Sequence, residues 1–201
     1  GACFSFSNVI IQSSINSFGA MAVAGCTAAL ILEGIAYAGS YSYQQTAISF
    51  VGQNYGARKR DRIIRSFWWC MLLGTLIPGF MELVFYSFGR PLLGIFIPES
   101  EVIEFGMQRV RIVMLTYALI GPLDTLSGAL RGLGRSVINT CIMLVGVCGI
   151  RLIWIFFVFP YHRTITFLFG SYPVSWAITC IPMAIYLYVI VKRLDAPQGR
   201  I

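Results

Sequence analysis

Four ionisable side chains, Glu33, Glu82, Asp124 and Arg151, stand inside long apolar runs of this sequence. A charge placed in hydrocarbon costs about 3 kcal/mol or more, so such residues turn toward a cavity or a partner and mark ion or substrate pathways. Asp124 has the richest surroundings: Pro122 precedes it, and Ser127, Gly128 and Arg131 follow on one helical face. Proline frees backbone carbonyls, and a carboxylate beside a loosened helix can hold a coupling cation or a proton. A structural hydrogen bond or salt bridge would use the same group. At about 1.5 Å per residue, Asp124 sits roughly 10 Å from Arg131, in the inner half of a membrane. The same count places Glu33, Glu82 and Arg151 in the outer half.

Glu33 heads a seam that continues through Tyr37, Ser40 and Gln44, a polar face about three turns long that must look into a cavity or a neighbouring helix. Tyr37 and Tyr41 could receive flat cations on their ring faces. Glu82 follows Pro78 by one turn in an otherwise lipid-like run, and a structural ion pair between Glu82 and Arg151 is expected. The parts of catalytic sites are missing. His162 is the single histidine and stands in a connector, Asp124 is the lone aspartate within an apolar run, and no phosphate-cradling GxxxxGK[ST] occurs, so the reading is not an enzyme and needs no cofactor or metal.

The scaffold that positions these groups follows from composition. The 201 residues are 57% hydrophobic and 11% charged, with mean hydropathy +0.76, whereas soluble domains carry roughly 25% charged residues. Lipid is therefore the solvent for most side chains, and apolar runs of about 20 residues specify helices over a barrel. Six segments fit an all-α integral membrane bundle of about six transmembrane helices: 1–17, 22–50, 66–89, 102–130, 136–159 and 170–191. The whole chain, 1–201, reads as one transmembrane lobe. The first segment, starting at Gly1, reads as a truncated helix. The six cysteines, from Cys3 to Cys180, lack CxxC spacing and read as small packing residues.

Net charge +7 does not indicate nucleic acid, because six charges crowd into Arg58 to Arg65 and no basic stripe is interleaved with aromatics. The pattern is topological. Arg58, Lys59, Arg60, Arg62, Arg65, Arg131, Arg135, Lys192, Arg193 and Arg200 fall on one side of the membrane. Arg90, Arg109, Arg111 and Arg163 fall on the other. Basic loops stay cytoplasmic, which places the C-terminus inside.

Val51-Gly52-Gln53-Asn54-Tyr55-Gly56-Ala57, after a span and before the basic cluster, resembles a motif of the multidrug and toxic compound extrusion (MATE) family. Leu126-Ser127-Gly128-Ala129-Leu130-Arg131-Gly132-Leu133-Gly134 resembles the family's segment closing its tenth helix. The resemblance implies the carboxyl-terminal lobe of a twelve-helix antiporter, whose N-terminal lobe is a missing partner. It further implies export of amphipathic or cationic organic compounds across the cell membrane by alternating access, in exchange for protons or sodium. Asp124 then falls in the helix resembling the tenth, where acids bind the coupling cation in some members, and Glu33 in the one resembling the eighth, near the lobe cavity. Gly52, Gln53, Asn54, Gly56 and Arg131 become parts of cytoplasmic turns, with the glycines bending and the amides capping. A lipid-linked oligosaccharide flippase of the wider superfamily is the alternative, and a membrane scaffold or channel subunit a third.

Overall fold

A computed structural model describes residues 2–194, with side chains from Ser7 onward; Gly1, the Cys3 thiol and Arg200 fall outside it. The described residues form helices and no strand: α1 (Ala2–Asn16), α2 (Ala20–Gly56), α3 (Arg60–Ser87), short α4 (Gly89–Gly94), α5 (Ser100–Gly132), α6 (Ser136–Tyr161) and α7 (Ile165–Arg193). Five of them, of 37, 28, 33, 26 and 29 residues, are long and apolar enough to cross a membrane.

Polarity is inverted relative to a soluble bundle. Phe80 and Phe157 are each 68% exposed, while Glu33, Glu82, Arg109, Asp124 and Arg151 are buried. Aromatic and aliphatic residues cover the outside because lipid tails receive them, and the ionisable groups collect where helix faces lipid least.

The centre is a parallel pair, α2 and α5. The buried face of α2 is built largely of small residues at helical spacing, among them Gly25, Ala29, Ala36, Ser40 and Ala47, which lets α5 approach closely. A Cβ added at Gly106 would lie 2.9 Å from the Gly25 carbonyl oxygen, and one at Gly128 would lie 2.5 Å from that of Gln44. Gly132 packs similarly against Ile48 and Gly52. On the other flank of α5, Gly121 abuts the Gly74 carbonyl of α3.

Irregularities have local causes. Within α5 the helix tightens to a 3-10 turn at Tyr117–Leu119 just ahead of Pro122, whose ring disturbs the carbonyl four residues earlier. Two π-helical stretches, Leu144–Gly149 and Trp154–Val158, widen α6 on either side of Arg151. Such insertions recur at functional sites.

The expected turn at Val51–Ala57 is instead the last two turns of α2, and the connector left between the expected segments 22–50 and 66–89 shrinks to Ala57–Lys59. The chain reverses with Arg58 at φ 55°, where Lys59 N–H donates to the Asn54 carbonyl and Arg58 N–H to that of Tyr55. This Schellman closure satisfies the helix end without bending at glycine. Gly56 meets no atom within 4 Å of an added Cβ and is no packing glycine, whereas Gly52 faces Gly132. Asn54 does tie the turn together, its amide donating to the Phe50 carbonyl and to Ser66 Oγ across on α3. Gln53 is exposed. Past the exposed Arg131, α5 closes in the same way around Gly134 at φ 74°.

Candidate functional site

A cavity of about 400 Å³ opens between α1, α2, α5, α6 and α7, and Glu33, Tyr37, Arg109, Asp124, Arg151 and Trp176 line it. Three separate polar arrangements occupy its wall.

The first is an ion pair. Arg109 Nε and Nη2 donate to Glu33 Oε1 and Oε2 at 2.5 and 2.8 Å, a two-pronged fork-to-carboxylate match. The Arg109 guanidinium also lies 4.7 Å from the Phe169 ring centroid. Both carboxylate oxygens of Glu33 are thus engaged.

The second is half-satisfied. Gln44 Nε2 on α2 donates to Asp124 Oδ1 at 3.0 Å, made possible by the close seat of Gly128 on the Gln44 backbone. Asp124 Oδ2 is buried and has no hydrogen-bond partner among the described residues. By the helical rise of about 1.5 Å per residue, Glu33 and Gln44 stand roughly 16 Å apart along α2. The seam predicted along this helix therefore serves two different carboxylates. One turn beyond Asp124, Asn139 Nδ2 donates to Ser127 Oγ at 3.0 Å.

The third is Arg151. Its guanidinium lies 4.0 Å from the Tyr172 ring centroid and 5.8 Å from that of Trp176, and Nε donates to Ser175 Oγ at 3.3 Å. The expected ion pair of Glu82 with Arg151 does not form. Arg151 sits in α6 against α7, whereas Glu82 belongs to α3, which packs on α2 and α5. Glu82 Oε1 is buried with no hydrogen-bond partner among the described residues, and Glu82 is not part of the cavity lining.

Arg109 is the group that sequence reasoning missed. Assigned by position to the outer end of a span, it is 2% exposed in the middle of the bundle. A signal was present: Gly106, Arg109, Val110 and Val113 share one face of α5, and that face is buried. Arg111, pointing elsewhere, keeps surface company with Glu104 at 3.4 Å. Tyr37 stands 41% exposed at the cavity wall, with its ring 6.1 Å from that of Tyr41.

A family model named MatE matches residues 1–157. Among curated proteins, the chain is 22% identical over 191 residues to "Probable multidrug resistance protein YoeA" of Bacillus subtilis, covering 94% of this chain and 41% of that protein. It is 25% identical over 150 residues to "Probable multidrug resistance protein NorM" of Thermotoga maritima, covering 73% and 31%. The chain thus spans about two fifths or less of these relatives' lengths. Among solved structures, an outward-facing multidrug resistance MATE family transporter of the MOP superfamily superposes with TM-score 0.82 at 18% identity, covering 96% of this chain and 42% of that one. A MOP superfamily transporter from Pyrococcus furiosus, described as having a binding pocket of reverse polarity, gives TM-score 0.82 at 17% identity over 94% and 42%.

Proposed function

The chain belongs to the MatE family of multi-pass membrane transporters, and on that premise we propose that it forms the carboxyl-terminal lobe of a cation-coupled antiporter in the cell membrane. The full transporter exports amphipathic or cationic organic compounds by alternating access, with an N-terminal lobe closing the other wall of the cavity. Protons or sodium ions drive it.

The observation that carries this reading is Asp124. It is a carboxylate within a membrane-spanning helix, in a residue that lines the cavity, with one oxygen fixed by Gln44 and the other buried without a hydrogen-bond partner among the described residues. An acid so placed accepts either a cation or a proton, and competition between the two produces exchange rather than leak. Tyr37 adds an aromatic face for a flat cation. The orientation draws on charge: Gly52 packs against Gly132, and Arg60 Nε donates to the Val191 carbonyl at 3.3 Å. These contacts bring the basic segments at Arg58, Arg131 and Lys192 to one end, which is the cytoplasmic end by the positive-inside rule.

The test uses the full-length protein in liposomes, following efflux of a fluorescent organic cation under an imposed proton or sodium gradient. Gradient-driven efflux that disappears in Asp124→Asn is the expected result; efflux indifferent to that change removes Asp124 from coupling. A lipid-linked oligosaccharide flippase is the second reading, favoured by Arg151, a cavity-wall arginine that meets no carboxylate among the described residues. Absence of efflux under either gradient would select it.

A further inference from the structure

Arg151 is 7% exposed and lines the cavity, yet no carboxylate lies within 4 Å of it among the described residues. A guanidinium stays charged in proteins, so this is a standing positive charge at the wall of a membrane cavity. The other charges there do not answer it. Both oxygens of Glu33 are taken by Arg109, and one oxygen of Asp124 is taken by Gln44.

The way Arg151 is held leaves its recognition edge open. Tyr172 supports the guanidinium at 4.0 Å, a stacking contact that does not consume in-plane donors. Ser175 Oγ donates to the Tyr172 carbonyl at 2.8 Å and accepts from Arg151 Nε at 3.3 Å, which fixes the orientation of the group. That bond engages Nε, and no carboxylate meets the four terminal N–H donors among the described residues. The helix itself is modified at this point, because Arg151 occupies the single α-helical turn Ile150–Ile153 between two π-helical stretches.

We infer that Arg151, oriented by Ser175 and supported by Tyr172, is an oxyanion-binding residue, and that the cavity takes amphipathic molecules carrying a carboxylate or phosphate group. The inference rests on reading this cavity as the substrate site. A planar fork of donors matches an oxyanion in two-pronged geometry. Ile11, Ile15, Leu123 and Val147 supply apolar wall for the rest of the molecule. The volume, about 400 Å³, lies toward the lower end of the roughly 300–1,000 Å³ range of small-molecule pockets, which fits a small amphiphile.

The experiment titrates the full-length protein in nanodiscs with three pyrene probes of matched size: a pyrenebutyrate, its neutral amide and a pyrenebutyl trimethylammonium. The expected result is that the carboxylate binds about tenfold or more tightly than the amide. In Arg151→Met that preference disappears while the amide binds within about twofold of wild type, and Ser175→Ala weakens the carboxylate several-fold. Arg151→Lys, which keeps the charge but loses the fork, retains part of the preference. The wild-type ranking decides the class without any variant having to fold: an ammonium ranked first, no ranking, or no binding of any probe overturns the inference. Displacement of the carboxylate by phosphatidic acid in the nanodisc identifies the source of the oxyanion as a lipid headgroup; displacement by soluble carboxylates alone identifies a free small molecule. The outcome for transport is separate. An exported ammonium probe ranked first leaves the antiporter standing and removes the oxyanion site, whereas carboxylate binding without gradient-driven export does the reverse.

Discussion

Arg109 on α5 clasps Glu33 on α2 through two hydrogen bonds, of 2.5 and 2.8 Å, with both side chains nearly sealed from the surroundings. The pair fastens the two central helices at one end, as Gln44 and Asp124 do further along. Between these stations the cavity carries charges of both signs, and they are kept apart by assignment to different partners. Both oxygens of Glu33 are paired with Arg109, whereas Asp124 keeps one buried oxygen without a hydrogen-bond partner and Arg151 meets no carboxylate among the described residues. Paired and unpaired charges thus stand at different stations of the lobe.

Breaking that clasp strands a buried charge. Glu33→Gln and Arg109→Met are each expected to destabilise the lobe by about 3–5 kcal/mol, since the remaining partner loses its counter-charge in a low-dielectric interior. The double substitution Glu33→Gln with Arg109→Met should cost clearly less than the two singles added together. Unfolding free energies of all four proteins in the same membrane mimetic form the cycle that checks it. Additive costs would mean that the two side chains act independently of each other.

How much of this was readable beforehand depends on what each feature draws on. The all-helical membrane fold follows from composition and run length, which are local properties. Asp124, Glu33 and Tyr37 were identifiable because polar groups in apolar runs are costly wherever they sit, and all three line the cavity. Partner choice was not readable. Glu33 and Arg109 are 76 residues apart, and which cation a carboxylate meets depends on which helices touch. Depth alone allowed Arg151 as a partner for Glu82, but the packing of α3 on α2 and α5, and of α6 on α7, separates them. The glycines at Val51–Ala57 suggested a bend, whereas the helical hydrogen-bond ladder runs through them and the reversal falls on Arg58.

Close helix approach makes a sharp distinction among glycines that composition cannot. An added methyl at Gly128 would sit 2.5 Å from the Gln44 carbonyl oxygen and 3.0 Å from Ala47 Cβ, both on the rigid neighbouring helix. Gly128→Ala is therefore expected to destabilise by roughly 1–3 kcal/mol and to disturb the Gln44 contact with Asp124. Gly79, inside α3 with nothing within 4 Å of an added Cβ, should instead gain about 0.5–1 kcal/mol as alanine from reduced backbone freedom. Thermal unfolding of the two variants side by side tests the opposite signs.

Gln44 satisfies half of a carboxylate that otherwise has no partner among the described residues. Gln44→Ala removes the donor and leaves Oδ1 as bare as Oδ2, at a cost of about 1–3 kcal/mol. Pairing it with Asp124→Leu removes the stranded acceptor as well and should recover much of that loss. Unfolding measurements on the single and double variants decide the point; a double variant no more stable than Gln44→Ala would show that the hydrogen bond is not the source of the cost.

The reversal between α2 and α3 places Arg58 at φ 55°, a conformation that costs an L-residue roughly 1 kcal/mol and costs glycine almost nothing. The equivalent position after α5 is already glycine, Gly134 at φ 74°, with the same two backbone hydrogen bonds. Arg58→Gly should keep the bonds from Lys59 N–H to Asn54 and from Arg58 N–H to Tyr55 while relieving the strain. The variant should gain up to about 1 kcal/mol in spite of glycine's greater unfolded-state entropy. Gly134→Ala should lose a comparable amount. Because Arg58 also belongs to the basic cluster assigned to the cytoplasmic end, the two readouts separate. A stabilised Arg58→Gly with unchanged membrane orientation, checked by accessibility of a cysteine introduced into this loop, shows that φ strain is what this arginine costs and that its neighbours Lys59, Arg60, Arg62 and Arg65 suffice for topology.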